Sequence, residues 1–81
     1  MSTDNIDRYI KAFVESLEIK NEIVNESLEY NSVPEWDSIG HMSLISALEE
    51  EFEISIETDD IIDFSSFKQG KVILKKYNLD I

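Results

Sequence analysis

Asp37, Ser38 and His41 put an acid, a hydroxyl and an imidazole within four residues, in the run Trp36-Asp37-Ser38-Ile39-Gly40-His41-Met42-Ser43-Leu44-Ile45. The three types have the composition of a nucleophilic triad. A triad, however, needs the acid to orient the base and the base to reach the serine, with oxyanion donors around a substrate. Three groups crowded into one turn do not give that geometry, and no G-x-S-x-G elbow is present. Metal chemistry is also poorly supplied. One histidine and no cysteine exclude the usual zinc sets. Asp59, Asp60 and Asp63 lack the ligand order and central glycine of a calcium loop. What remains is Ser38 itself. A serine at a helix start is either a cap for the first amides or a place where an anionic group can be attached, because the amides and the dipole there favour negative charge.

The elements that position Ser38 follow from periodicity. His41, Leu44, Ile45, Leu48 and Phe52 share one arc of a helix from Ser38 to Phe52 or Glu53, at about 100° per residue. That arc must face the core. His41 on it reads as a half-buried histidine hydrogen-bonded to the preceding loop. Ile39, Ser43, Ser46, Ala47 and Glu50 fall on the opposite arc, with Met42 at its edge. Two large apolar residues thus lie on the outward side beside small ones, with Glu49, Glu50 and Glu53 around them. This is either a small docking face with an acidic rim or an ordinary solvated face.

Upstream, Ile6, Tyr9, Ile10, Phe13, Val14 and Leu17 recur at helical spacing and predict a first helix from Asp4 to Glu18, capped by Thr3 or Asp4. Asn21 to Asp37 is a long loop rich in Asn, Ser and Pro34. Its irregularly spaced Ile23, Val24, Leu28, Tyr30, Val33 and Trp36 are expected to plug onto the core. Downstream, Thr58 is expected to cap a short helix from Asp59 to Asp63, with Ile61, Ile62 and Phe64 turned inward. Ser66-Phe67-Lys68-Gln69 has the form of a capping box. It opens a last helix whose apolar face is Phe67, Gly70, Ile73, Leu74 and Tyr77. Residues 1–81 therefore read as one all-α domain, a small four-helix bundle with a short third helix and a long loop between helices I and II.

Charge narrows the partners. Eighteen acids against seven bases give −11, which excludes the phosphate contacts that nucleic-acid binding requires. Between Asn21 and Phe67 there are thirteen acids and no Lys or Arg. That field serves solubility or steers basic partners toward the chain. No apolar run approaches the roughly 18 residues of a membrane span. The acidic start, Met1-Ser2-Thr3-Asp4, lacks the basic and apolar regions of a signal peptide. A cytoplasmic monomer that does not insert into membranes is the expectation.

Asp37-Ser38-Ile39, followed by Met42, Leu44-Ile45 and Ala47-Leu48-Glu49-Glu50-Glu51-Phe52, resembles the acyl carrier protein family. The family's attachment motif is D-S-L, with D-S-I a common variant, and A-L-E-E-E-F is its typical helix II ending. The likeness continues to Leu74, and in helix I it is one of pattern. The resemblance implies a four-helix carrier of acyl-carrier type, itself no enzyme. Ser38 would receive 4′-phosphopantetheine from coenzyme A through a phosphopantetheinyl transferase. The arm would hold acyl or aminoacyl groups as thioesters and pass them from a loading ligase to downstream synthases or transferases with basic docking patches. Asp37 would be the acid beside the attachment site, Ile39 the apolar docking contact, and Glu49 and Glu50 acidic contacts. Met42, Ser43 and Ala47 would complete that face. Gly40 and Ser43 stand where fatty-acid carriers usually have acids. The W-D-S-I-G-H form resembles stand-alone bacterial carriers of specialised pathways, so both fatty-acid or lipid biosynthesis and a specialised pathway are open. Trp36 either packs the loop or lines the path of the arm. An acidic adaptor that kept the fold without the modification is the alternative.

Overall fold

Helical periodicity becomes four α-helices and no strand among residues 2–81, which the computed structural model describes with side chains from Asp4 onward. Helix α1 runs over Ser2–Leu17, α2 over Ser38–Phe52, α3 over Thr58–Asp63 and α4 over Phe67–Lys75. The chain is all-α. Helix α1 begins earlier than its apolar pattern indicates, so Asp4 lies in the first turn, where its charge suits the dipole, and is not the cap. The alternative cap, Thr3, lies outside the described side chains.

Helices α1 and α2 end in the same way. Glu18 and Glu53 each adopt a left-handed conformation with φ of 54°. The following isoleucine donates its amide five residues back, Ile19 to the Val14 carbonyl at 3.3 Å and Ile54 to the Glu49 carbonyl at 3.0 Å. This closes the last carbonyls of each helix and folds Ile19 into the core, with Ile54 packed on its edge. Glycine is the usual residue for that turn. Glutamate there works against a steric cost of about 1–2 kcal/mol, offset by the bonds and by the burial of the isoleucine that follows.

The core is aromatic at its centre. Tyr9 and Phe13 of α1 meet Trp36 of the loop, Phe64 after α3 and Phe67 of α4. Phe13 sits edge-on to Trp36 at 5.3 Å and to Tyr9 at 5.0 Å. Such pairs add about 0.5–1.5 kcal/mol each beyond area burial. Leu44, Ile45, Leu48 and Phe52 present the buried face of α2, and Ile73 and Leu74 that of α4. The Tyr9 hydroxyl donates to the Phe67 carbonyl at 2.7 Å, which satisfies a phenol that burial keeps protonated by raising its pKa well above the usual value. Arg8 crosses from α1 to the end of α2. It pairs with the Glu51 carboxylate at 2.7 Å, bonds the Glu51 carbonyl and lies over the Phe52 ring.

The long loop is tied down rather than free. A 3₁₀ turn at Asn21–Ile23 and an Asx turn at Asn25 shape its first half. Its second half pairs with the junction between α3 and α4: Tyr30 donates to the Ser65 carbonyl and Phe67 to the Leu28 carbonyl, both at 2.9 Å. Lys71 of α4 adds an ion pair to Glu26 at 2.7 Å. Val24, Leu28 and Trp36 plug into the core and Val33 packs on its edge. Ile23 and Tyr30 do not follow the expectation: both are more than a third exposed, because backbone pairing sets the loop's direction at those positions.

Helix α3 departs from its sequence reading in two ways. Glu57 occupies the cap position, with no side-chain capping bond, and Thr58 is the first helical residue. The inward side is built on Asp60 and Ile61, so Ile62 points out and is 73% exposed. A single turn has room for one inward stripe. Asp60 claims it, since its carboxylate accepts from Lys76 Nζ at 2.5 Å and from the Tyr77 hydroxyl at 2.6 Å. These bonds hold α3 onto the end of α4. At the head of α4, the Ser66 hydroxyl accepts from the Gln69 amide at 2.9 Å, as the capping-box spacing predicts.

Candidate functional site around Ser38

The start of α2 is fixed by a division of labour between adjacent residues. Asp37 is the cap, and its carboxylate accepts from the Gly40 amide at 2.8 Å while its carbonyl accepts from the His41 amide. Ser38 is the first helical residue, so its hydroxyl is not consumed by capping. It is exposed, and its one hydrogen-bonding neighbour among the described side chains is the Tyr30 hydroxyl at 3.1 Å. Of the two roles open to Ser38 from sequence, the capping one therefore belongs to Asp37.

Gly40 makes this tight turn feasible. A Cβ there would lie 2.2 Å from the Glu35 carbonyl oxygen and 3.0 Å from a Leu17 methyl. The loop before α2 thus packs against the bare backbone of its first turn, and α1 approaches from the other side.

Below Ser38 lies a polar chain inside the aromatic core. The Trp36 indole N–H donates to His41 Nδ1 at 2.9 Å. That ring nitrogen must accept, so the proton of the neutral imidazole sits on Nε2 and donates to the Ile61 carbonyl at 2.9 Å. Both ring nitrogens are occupied within the fold, and neither is bonded to Ser38. The histidine links the loop, α2 and α3. It bonds the preceding loop, as expected, and reaches α3 as well. Trp36 is fully buried, its indole nearly coplanar with the His41 ring at an interplanar angle of 21°. Its role is packing, the first of the two roles open from sequence.

Two depressions open at Ser38. The larger is an open groove of about 970 Å³ between α1 and α2. It brings Ser38, Ile39, Met42, Ser43, Ala47 and Glu50 together with Ala12, Glu15 and Ser16 of α1. Ile39 is 80% exposed at its mouth. The smaller, of about 310 Å³, lies toward α3 between Tyr30, His41, Met42, Ile61, Ile62 and Phe64, with Ser38 on its rim. Two residues expected on the docking face do not line the groove. Asp37 is held at the cap, and Glu49 is half-buried with its carboxylate on the Ile56 amide at 2.8 Å, where it shapes the turn after α2.

Sequence reasoning missed Tyr30 and Ile62 as site residues. Tyr30 was legible only as one more irregularly spaced apolar residue in the loop; its proximity to Ser38 depends on the pairing with Ser65. The wall carrying Ile61 and Ile62 is steadied by the Asp60 contacts. Lys76, and after it Tyr77, hold the Asp60 carboxyl below the usual carboxylate range through their hydrogen bonds. The same bond to Asp60 raises the Lys76 and Tyr77 pKa values in turn. Among the described residues no three histidine or acidic side chains come together as a metal site. Among the described residues, likewise, no helix is long and apolar enough to cross a membrane.

Compared with protein-family models, curated proteins and solved structures, the chain has no match.

Proposed function

We propose that this chain is a carrier protein, with 4′-phosphopantetheine attached at Ser38 and acyl or aminoacyl intermediates held on it. One observation carries the reading. Ser38 stands at the first position of α2 with its hydroxyl left free by the Asp37 cap, exposed where two depressions meet. A serine that only terminated the helix would have its oxygen on an amide.

The residues present suit the group. The hydroxyl is accessible to a transferase, and neither depression at Ser38 is lined by a Lys or Arg that would trap the new phosphodiester in an ion pair. The N-terminal end of α2 favours an anion on Ser38, and the Tyr30 hydroxyl is a donor within reach. Attachment forms a bond between Ser38 Oγ and phosphorus and breaks the P–O–P bridge of coenzyme A, releasing adenosine 3′,5′-bisphosphate, with the hydroxyl proton passing to a base of the phosphopantetheinyl transferase. Once bound, the arm supplies a terminal thiol for thioester chemistry. The chain itself is no enzyme in this reading: His41 is locked by Trp36 and Ile61 and offers Ser38 no base.

Around the attachment point, Ile39 and Met42 form an apolar centre, with Ser43 and Ala47 allowing close approach and Glu50 on the rim. This face suits a loading ligase, synthase or transferase with a basic patch. It fits a small bundle of acyl-carrier type working in lipid biosynthesis or a specialised pathway of the cytoplasm.

Intact-mass spectrometry after incubation with coenzyme A and a promiscuous phosphopantetheinyl transferase tests the reading. One adduct is expected on the wild type and none on Ser38→Ala, whose circular dichroism stays that of a folded helical protein. A wild type that stays unmodified refutes the carrier and leaves an acidic adaptor that binds without a covalent arm.

A further inference from the structure

Tyr30 is placed with more constraint than an exposed loop tyrosine needs. Its amide is bonded to the Ser65 carbonyl at 2.9 Å. Its ring stands edge-on to Trp36 at 6.3 Å and to His41 at 5.5 Å. Those two rings are themselves joined by the indole–imidazole bond and anchored to Ile61. The phenol is therefore fixed on a rigid aromatic floor, and its hydroxyl points to Ser38 Oγ at 3.1 Å. This oxygen pair spans the loop and the first turn of α2, two segments whose relation the rest of the fold holds firm.

We propose that Tyr30 is a positioning residue for Ser38: its hydroxyl hydrogen-bonds the phosphodiester formed there and directs the attached group toward the α3-side cavity. This rests on the carrier reading above. Once Ser38 is esterified its oxygen has no proton left, so Tyr30 becomes the donor and the phosphate side the acceptor. Electrostatics favour the same side. The α1–α2 groove carries Glu15 and Glu50, which repel a phosphate, beside Glu51, whose charge is paired with Arg8. The α3-side cavity has no acid in its lining, and Tyr30, His41, Met42, Ile61 and Ile62 give it apolar walls. In a stretch of 45 residues and more without a cation, a neutral donor is what the chain can offer an anion, roughly as a phosphate is held by hydroxyls and amides elsewhere.

The test compares modified wild type with modified Tyr30→Phe, which keeps the ring and removes only the hydroxyl. The ³¹P resonance of the phosphodiester is read in each, folded and in urea. The wild-type folded resonance is expected to stand apart from its urea position, and the Tyr30→Phe resonance to move toward the urea position. A second measurement uses the wild type alone. The Tyr30 ¹³Cζ resonance is expected to shift on modification, while those of Tyr9 and Tyr77 stay in place. Identical folded ³¹P resonances in the two proteins overturn the proposal, as does an unmoved Tyr30 ¹³Cζ if the variant does not fold. In those cases the adduct is present and the carrier reading stands. Absence of any adduct on the wild type overturns both.

Discussion

Substituting Gly40 by alanine sets two effects of opposite sign against each other, and the structure decides which wins. In an unconstrained helix, Gly→Ala stabilises by about 1 kcal/mol. Here the new methyl would lie 2.2 Å from the Glu35 carbonyl oxygen. A carbon–oxygen contact of that kind settles near about 3.3 Å, so about 1 Å must open. The obstacle is backbone. Glu35 precedes Trp36, whose amide donates to the Val33 carbonyl at 3.1 Å and whose carbonyl accepts from Asn31 at 2.9 Å. The indole of Trp36 is fully buried and hydrogen-bonded, so the turn cannot swing outward cheaply. Overpacking a tight site costs about 1–3 kcal/mol, and a backbone obstacle belongs in the upper half of that range. Net destabilisation of about 1–2 kcal/mol follows. With about 2.1 cal/mol/K per residue of unfolding entropy, this lowers Tm by roughly 6–12 °C. Thermal unfolding followed by circular dichroism measures it. Ser43→Ala on the exposed side of α2 is the control, expected to hold or slightly raise Tm. A Gly40→Ala protein that gains stability alongside Ser43→Ala would refute the claim that the loop clamps the first turn of α2 and so sets the position of Ser38.

Two further outcomes follow from named contacts. Ile39→Ala removes an 80% exposed side chain, so stability should change by no more than about 0.5 kcal/mol. Turnover of the loaded carrier by a partner enzyme should fall about tenfold, as for an interface anchor, and Glu50→Lys should lower it with a changed salt dependence; unchanged kinetics in both would remove α2 as the docking face. Asp60 gives a pH signature. Its pKa is lowered in the fold, so its contribution is complete above about 3.9 and is lost as pH falls through the lower folded value. Lys76 and Tyr77 are raised, so their contribution is complete below about pH 10 and is lost as pH rises through the higher folded values. Asp60→Asn should therefore lower Tm at pH 7 and flatten both limbs of the stability profile measured by thermal melts from acid to alkaline pH, and a profile superimposable on the wild type would show that the α3–α4 tie contributes nothing.

The helices and the site differ in how far local sequence reaches. Helix α2 was legible to within one residue of its end because its buried arc, Leu44, Ile45, Leu48 and Phe52, repeats at the helical period. The outward position of Ile39 follows from the same geometry, as does the capping bond of Ser66. Those features depend on neighbours within one or two turns. Tertiary structure decided the rest. Which of Asp37 and Ser38 caps α2 rests on a loop pressed against Gly40. That His41 is spent inside the fold rests on Trp36 and on Ile61, twenty residues away. Ile62 faces out because Asp60 finds Lys76 and Tyr77 at the far end of α4. Tyr30 reaches Ser38 because its strand-like segment pairs with Ser65. In each case the deciding partner is remote in sequence or set by packing, so no periodicity announces it. By itself the chain's sequence determined that a serine stands at the head of an outward-facing helix on an acid-rich surface. The packing of loop, α3 and α4 determined that its hydroxyl is not spent as the cap and that Tyr30 stands beside it.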